Sequence, residues 1–201
     1  SKNMTNTTFR RYTNLAAAIH LLQNRKITLL DPSTWDDRND AFFMSEYKRR
    51  THSASVLALC FAESHETYHH WRVFSHGSDG VCIEFDKEGL LGNFSQDESI
   101  RHGTMNYTIL KQAKKMADID VEQLPFLKRW PYGDEAEYRV VHVDRDVSKP
   151  FHDVPISLSH VKRITLSPWL ASALSDSVKA ALKSIDGCSK IEIYRSTLID
   201  N

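Results

Sequence analysis

Glu135-Ala136-Glu137-Tyr138-Arg139-Val140-Val141-His142-Val143 is the stretch on which the fold class turns. From Ala136 to Val143 it alternates and carries Tyr138, Val140 and Val141, side chains that pack well on a pleated surface. Pro131-Tyr132-Gly133-Asp134 just before it reads as a turn. Working outward, further strands are expected at Phe9–Thr13, Ile27–Leu30, Val56–Phe61, Val81–Phe85, Met105–Thr108, Val161–Leu166 and Ile191–Tyr194. Helices are fewer. One starts after an Asn14 N-cap, with Leu15, Ile19, Leu21 and Leu22 at helical spacing. A second covers Glu63–Phe74, and a third runs from Lys111 to Met116. A last one, capped by Ser167, runs from Pro168-Trp169 toward Lys183 and closes at Asp186-Gly187. Thr34–Asp40 reads as an ordered loop around Trp35. Strands outnumber long helices and do not alternate with them, so the expected class is α+β, with mostly antiparallel sheets flanked by a few helices.

Residues 1–8 read as a polar tail and 9–201 as one domain. The 26 basic and 26 acidic residues cancel, so no global charge draws the chain to nucleic acid or membrane, although a local basic face is compatible with that balance. Cys60, Cys82 and Cys188 have no CxxC spacing, and two lie in apolar runs. An odd number without a framework fits a reducing compartment, and a cytoplasmic location is expected. No signal peptide or bilayer-length apolar run is read in the sequence.

Four constellations bear chemistry. His65-Glu66-Thr67-Tyr68-His69 places two histidines at i and i+4, which on a helix can hold Zn²⁺ while the glutamate activates its water. Glu63 two residues before the pattern and the lack of a clear third ligand (His76 or Glu84 would have to serve) weigh against a zinc hydrolase. An exposed helical turn before Trp71 is the plainer reading, so no metal is expected. In Glu135-Ala136-Glu137-Tyr138-Arg139 the glutamates share a strand face. Each carboxylate would then raise the other's pKa for acid/base or cation-stabilising work, unless Arg139 merely neutralises a solvated face. Arg11-Tyr12-Thr13 combines a planar fork for phosphate with a ring able to stack. Trp35, with Asn39 and Asp40 in the same polar loop, is expected over a cleft.

Together these segments resemble a widespread bacterial domain family of unknown function. The resemblance is carried by Phe9-Arg10-Arg11-Tyr12-Thr13, Trp35-Asp36-Asp37-Arg38-Asn39-Asp40, Cys60-Phe61-Ala62-Glu63, Trp71, Gly80-Val81-Cys82-Ile83-Glu84-Phe85-Asp86, and Trp130 with Glu135-Ala136-Glu137-Tyr138-Arg139. Ala62 stands where that pattern usually has serine. The order of features is also similar to ADP-ribosyltransferases. That likeness implies NAD as substrate, with Arg11 on its diphosphate or ribose, and Tyr12, Thr13 and Trp71 around the nicotinamide. It implies Glu137 as the residue stabilising an oxocarbenium-like ribose, with Glu135 assisting. Trp35, Asn39, Asp40 and Arg139 are then expected to contact substrate. The acceptor would be protein or nucleic acid, and the biological role that of a toxin or phage-defence effector. A non-catalytic module that binds a nucleotide or peptide in the same cleft remains open beside it.

Overall fold

The computed structural model describes residues 6–35, 38–75, 77–107, 116–128, 133 and 135–200 (only the backbone at 34, 38, 39 and 116). The chain forms two compact units. The first comprises residues 1–27, 62–94 and 154–201, the second 28–61 and 95–153.

In the first unit, β1 (Thr8–Asn14) pairs antiparallel with β4 (Gly80–Asp86), from Thr8 opposite Asp86 to Asn14 opposite Gly80. β4 pairs antiparallel with β8 (Val161–Leu166), the register slipping between Glu84 and Phe85. β8 pairs parallel with β9 (Glu192–Arg195). The core is built from the alternation that the sequence shows: Phe9, Val81, Ile83, Phe85 and Ile164 are wholly buried. Asn14 caps α1 (Leu15–Asn24) as expected, its side chain accepting from the Ala17 amide at 2.8 Å. Ala18, Leu21 and Leu22 form the buried stripe, whereas Ile19 lies on the outer face.

Two expected helices in this unit are shorter than the sequence implies. α3 begins only at Tyr68 and ends at Phe74, with Thr67 as N-cap. The C-terminal helix, α5 here, runs Ser172–Lys183. The Ser167 hydroxyl accepts from the Trp169 amide (3.1 Å) and donates to the Gly77 carbonyl (3.0 Å), so it closes a turn instead of capping the helix. Gly187 follows α5 at φ 81°, a left-handed conformation in which a side chain would also meet the Arg25 guanidinium. α4 (Lys87–Ser95) was not expected, because its apolar residues Leu90 and Phe94 are too few to mark a stripe.

In the second unit, β5 (Ile100–Thr104) pairs antiparallel with β6 (Glu137–Asp144), from Ile100 opposite His142 to Thr104 opposite Tyr138. β6 neighbours β3 (Ser55–Ala62), and β2 (Lys26–Leu30) pairs antiparallel with β3 through Leu30 opposite Ala58. β7 (Phe151–Pro155) was not expected, and Thr28 donates to Asp153 on it at 2.6 Å. α2 (Arg38–Arg50) corrects the loop expected up to Asp40. Its start is acidic and polar, but Phe43, Met44 and Tyr47 fall on one face and enter a core with Val56, Ala58, Leu124, Leu127 and Val141. The strand expected at Met105–Thr108 is displaced to β5. Asn106 makes only a single bridge to Leu127, and Thr108 lies outside the described residues. So does most of the helix expected at Lys111–Met116, and so do Trp130 and most of the turn before Glu135. The expected α+β class with mostly antiparallel strands is what these pairings show. Among the described residues no helix is long and apolar enough to cross a membrane.

Candidate active site

β6 opens with a backbone irregularity. Ala136 has φ 46°, and its amide bonds the Gly133 carbonyl at 3.2 Å, so the chain turns sharply before the ladder begins at Glu137. The two glutamates therefore do not lie along one regular strand face, as the i, i+2 spacing implied. They converge instead on one cation. Lys128 Nζ donates to Glu135 Oε2 at 2.6 Å and to Glu137 Oε1 at 2.9 Å, with Asp40 Oδ2 at 3.9 Å.

Arg139 completes the cluster from the same face of β6 as Glu137. Its Nε donates to Glu137 Oε2 at 2.8 Å. Its two terminal nitrogens each donate to one oxygen of Asp40 at 2.7 Å, and one also reaches the Pro125 carbonyl at 3.1 Å. Trp35 lies with its ring 4.7 Å from the guanidinium, a cation–π contact. The Tyr107 hydroxyl accepts from the Glu137 amide at 3.2 Å. Arg139 is wholly buried, and Glu135, Glu137, Asp40 and Lys128 are each at least 95% buried. Charges this far from water persist only when paired and hydrogen-bonded, and among the described residues three carboxylates meet two cations here.

The electrostatics follow from that packing. Burial alone would raise the Glu137 carboxyl, but Arg139 and Lys128 on its two oxygens hold it below its ordinary value. The expected mutual raising of two glutamates is therefore reversed at Glu137, because cations are interposed. Burial also opposes the charge of Lys128, and Glu137, Glu135 and Asp40 overcome it, so the ammonium stays protonated. The Cys60 thiol is pushed up by burial and then by the Glu137 charge, so it is a neutral neighbour and not a nucleophile. Burial pushes the Tyr107 phenol up to about 12.

The other expected site residues are on β1 and α3, in the first unit. Tyr12 is buried, its ring stacked on His70 (5.3 Å between centroids, 18°) and edge-on to Trp71 (5.2 Å, 85°). Trp71 is wholly buried, and its indole donates to Glu66 Oε1 at 2.8 Å. These two rings pack in a core cluster with Ala62 and Cys82. Arg11 and Thr13 are half-buried on β1, opposite Ile83 and Val81. The Asn39 side chain lies outside the described residues, whereas Trp35, Asp40 and Arg139 are brought together as described.

The His65/His69 pair does not form the face a zinc helix needs. His65 precedes the Thr67 N-cap, and His69 is on α3, so no helical turn carries both. Glu66, which would activate water, instead accepts from Trp71 and from the Ser196 hydroxyl. Among the described residues no group of three or more histidine, cysteine or acidic side chains converges as a metal site.

No family model matches the sequence, and no curated protein matches it. Among solved structures the chain is similar to Thermus sp. 2.9 DarT in complex with NAD+ (11% identity, TM-score 0.48, 96% of each chain covered). It is likewise similar to the same protein in complex with ADP-ribosylated ssDNA (12%, 0.49, 95% of this chain and 94% of that one). The complex with carba-NAD+ gives 9% identity, a TM-score of 0.47 and 96% coverage of each chain.

Lys128 is the member of this cluster that sequence reasoning missed. Lys128 closes the apolar run Leu124-Pro125-Phe126-Leu127, and that run was the one local signal that its ammonium would be buried.

Proposed function

We propose that this chain is an ADP-ribosyltransferase-like enzyme that uses NAD, with Glu137 as the carboxylate at the reacting ribose. The observation that carries the reading is the state of Glu137: buried, held ionised by Arg139 and Lys128, and fixed at its amide by Tyr107. When the bond between C1′ of the ribose and the nicotinamide nitrogen breaks, its electron pair leaves with nicotinamide and positive charge builds on the ribose. A carboxylate that is already fixed and charged stabilises that state more than the ground state. The acceptor's lone pair then forms the new bond to C1′, and in this reading Glu135 assists by taking the acceptor's proton. Protein or nucleic acid is the acceptor class, and a toxin or phage-defence effector is the biological setting the resemblance implies. Arg11, assigned by that resemblance to the NAD diphosphate, lies in the first unit and is tested by its own variant.

A second reading is favoured by one observation. Both glutamates are 2% exposed and already ion-paired, which suits a structural network inside a binding module that does no chemistry.

NAD titration by calorimetry and scanning fluorimetry, followed by a nicotinamide-release assay, separates the two. The transferase reading expects saturable binding, weakened in Arg11→Ala, and release that falls by about 10²-fold or more in Glu137→Gln. Binding without release supports the module. No binding at millimolar NAD sinks the transferase reading for this chain.

A further inference from the structure

The second unit holds a group of titratable side chains away from Glu137. His142, near the far end of β6, and His152, on β7, stack face to face with centroids 3.8 Å apart and planes 6° from parallel. His152 Nε2 bonds Asp97 Oδ2 at 2.7 Å, and Ser99 Oγ lies 2.7 Å from His142 Nδ1. Ser99 also donates to Asp97 Oδ1 at 2.5 Å and takes a second contact through its own amide at 3.0 Å.

This network assigns the proton on His142. Asp97 can only accept, so the single hydroxyl hydrogen of Ser99 points to it. Ser99 Oγ must then accept from His142, and Nδ1 carries the hydrogen. Nε2 is left as a bare acceptor, buried and without a hydrogen-bond partner. Two parallel rings also aim their nitrogens in parallel, so the pair cannot close on one metal ion.

We propose that the His142–His152 stack is an acid-sensitive latch between β6 and β7, opened by proton uptake at His142 Nε2. A proton at His152 Nε2 has the Asp97 carboxylate beside it. A proton at His142 Nε2 has no acceptor and lies against the neighbouring imidazole, so the folded arrangement resists it. The other charged groups acting on His142 are Lys149, which opposes its protonation, and Asp97 and Asp144, which favour it less strongly. Burial first, then His152 and Lys149, pushes His142 down to about 4 from an ordinary 6.5. The unfolded or opened state therefore takes up the proton first. Stabilisation is complete above 6.5 and is lost as the pH falls from there toward 4.

Hydrogen exchange on the full chain, corrected for the intrinsic pH dependence of exchange, tests this. Peptides spanning 97–100, 140–144 and 150–153 should exchange roughly 10- to 100-fold faster relative to pH 7 when the pH is lowered to 5. His142→Asn keeps a donor for Ser99 but has no basic nitrogen, and its protection should stay level over the same range. Unchanged protection in the wild type, or an equal loss in His142→Asn, overturns the latch. Should that variant not fold, ¹⁵N imidazole spectra of the wild type decide. Nδ1–H with a bare Nε2 that does not titrate before β6 and β7 open supports the latch. Reversible titration near 6.5 in the folded protein overturns it.

Discussion

Arg139 and Asp40 are 99 residues apart in sequence and meet in a two-pronged ion pair, both nitrogen–oxygen distances being 2.7 Å. The pair ties the first turn of α2 to β6, and Arg139 in turn holds Glu137. A planar guanidinium suits this geometry, because its rigid fork gives each Asp40 oxygen its own nitrogen and leaves Nε for Glu137.

Removing one partner strands the other. Asp40→Asn keeps the shape and deletes the charge, and is expected to destabilise the protein by about 3–5 kcal/mol in urea titrations. Arg139→Lys should cost a similar amount. A loss below about 1 kcal/mol in both would mean that water reaches the cluster.

Trp71 tests whether the aromatic cluster of the first unit is core or cofactor surface. As a wholly buried side chain, its replacement in Trp71→Ala should cost about 3–5 kcal/mol of stability. Weakened NAD binding with an unchanged melting temperature would instead restore a stacking role.

Ala136 sits at φ 46°, where a Cβ is disfavoured. Ala136→Gly should therefore raise stability by about 1 kcal/mol. Under the transferase reading it should lower nicotinamide release as well, because a freer backbone places Glu137 less firmly. Rising stability with unchanged release would separate Glu137 from the chemistry.

Acid should act in two windows. The upper one belongs to His142, between 6.5 and about 4, and disappears in His142→Asn. The lower one belongs to Glu137, whose folded value lies below its ordinary 4.5. A carboxyl depressed by folding contributes fully above its unfolded value, and that contribution is lost as the pH falls through the folded one. Urea midpoints for wild type and His142→Asn between pH 7 and 3 should thus coincide in slope only below about 4. A midpoint that is level down to pH 4 in the wild type would remove the upper window.

His65→Ala and His69→Ala change exposed side chains that share no helical turn. Each should shift stability by less than about 0.5 kcal/mol. Stoichiometric zinc lost in either variant would reverse the geometric reading of that string.

The sequence by itself determined the elements whose cause is local. Short runs rich in β-branched and aromatic residues at Phe9–Thr13, Val81–Phe85 and Ala136–Val143 marked β1, β4 and β6, because such side chains pack well on a pleated surface. Asn14 marked the start of α1, because a cap bonds an amide three residues away. α2 was hidden because its polar first turn precedes the apolar stripe, and β5 and β7 because they are short and half-buried. Glu135, Glu137, Arg139, Trp35 and Asp40 were all legible as residues of interest, but their relation was not. Only the tertiary structure decided that Lys128 would stand between the glutamates, that Arg139 would face Asp40, and that Trp71 would be core. The Lys128–Glu135 and Arg139–Asp40 contacts span seven and ninety-nine positions and depend on how much water the packing excludes. A charge's worth, and the direction its pKa moves, are set by that exclusion and by its partners' distances, neither of which is written in residue spacing.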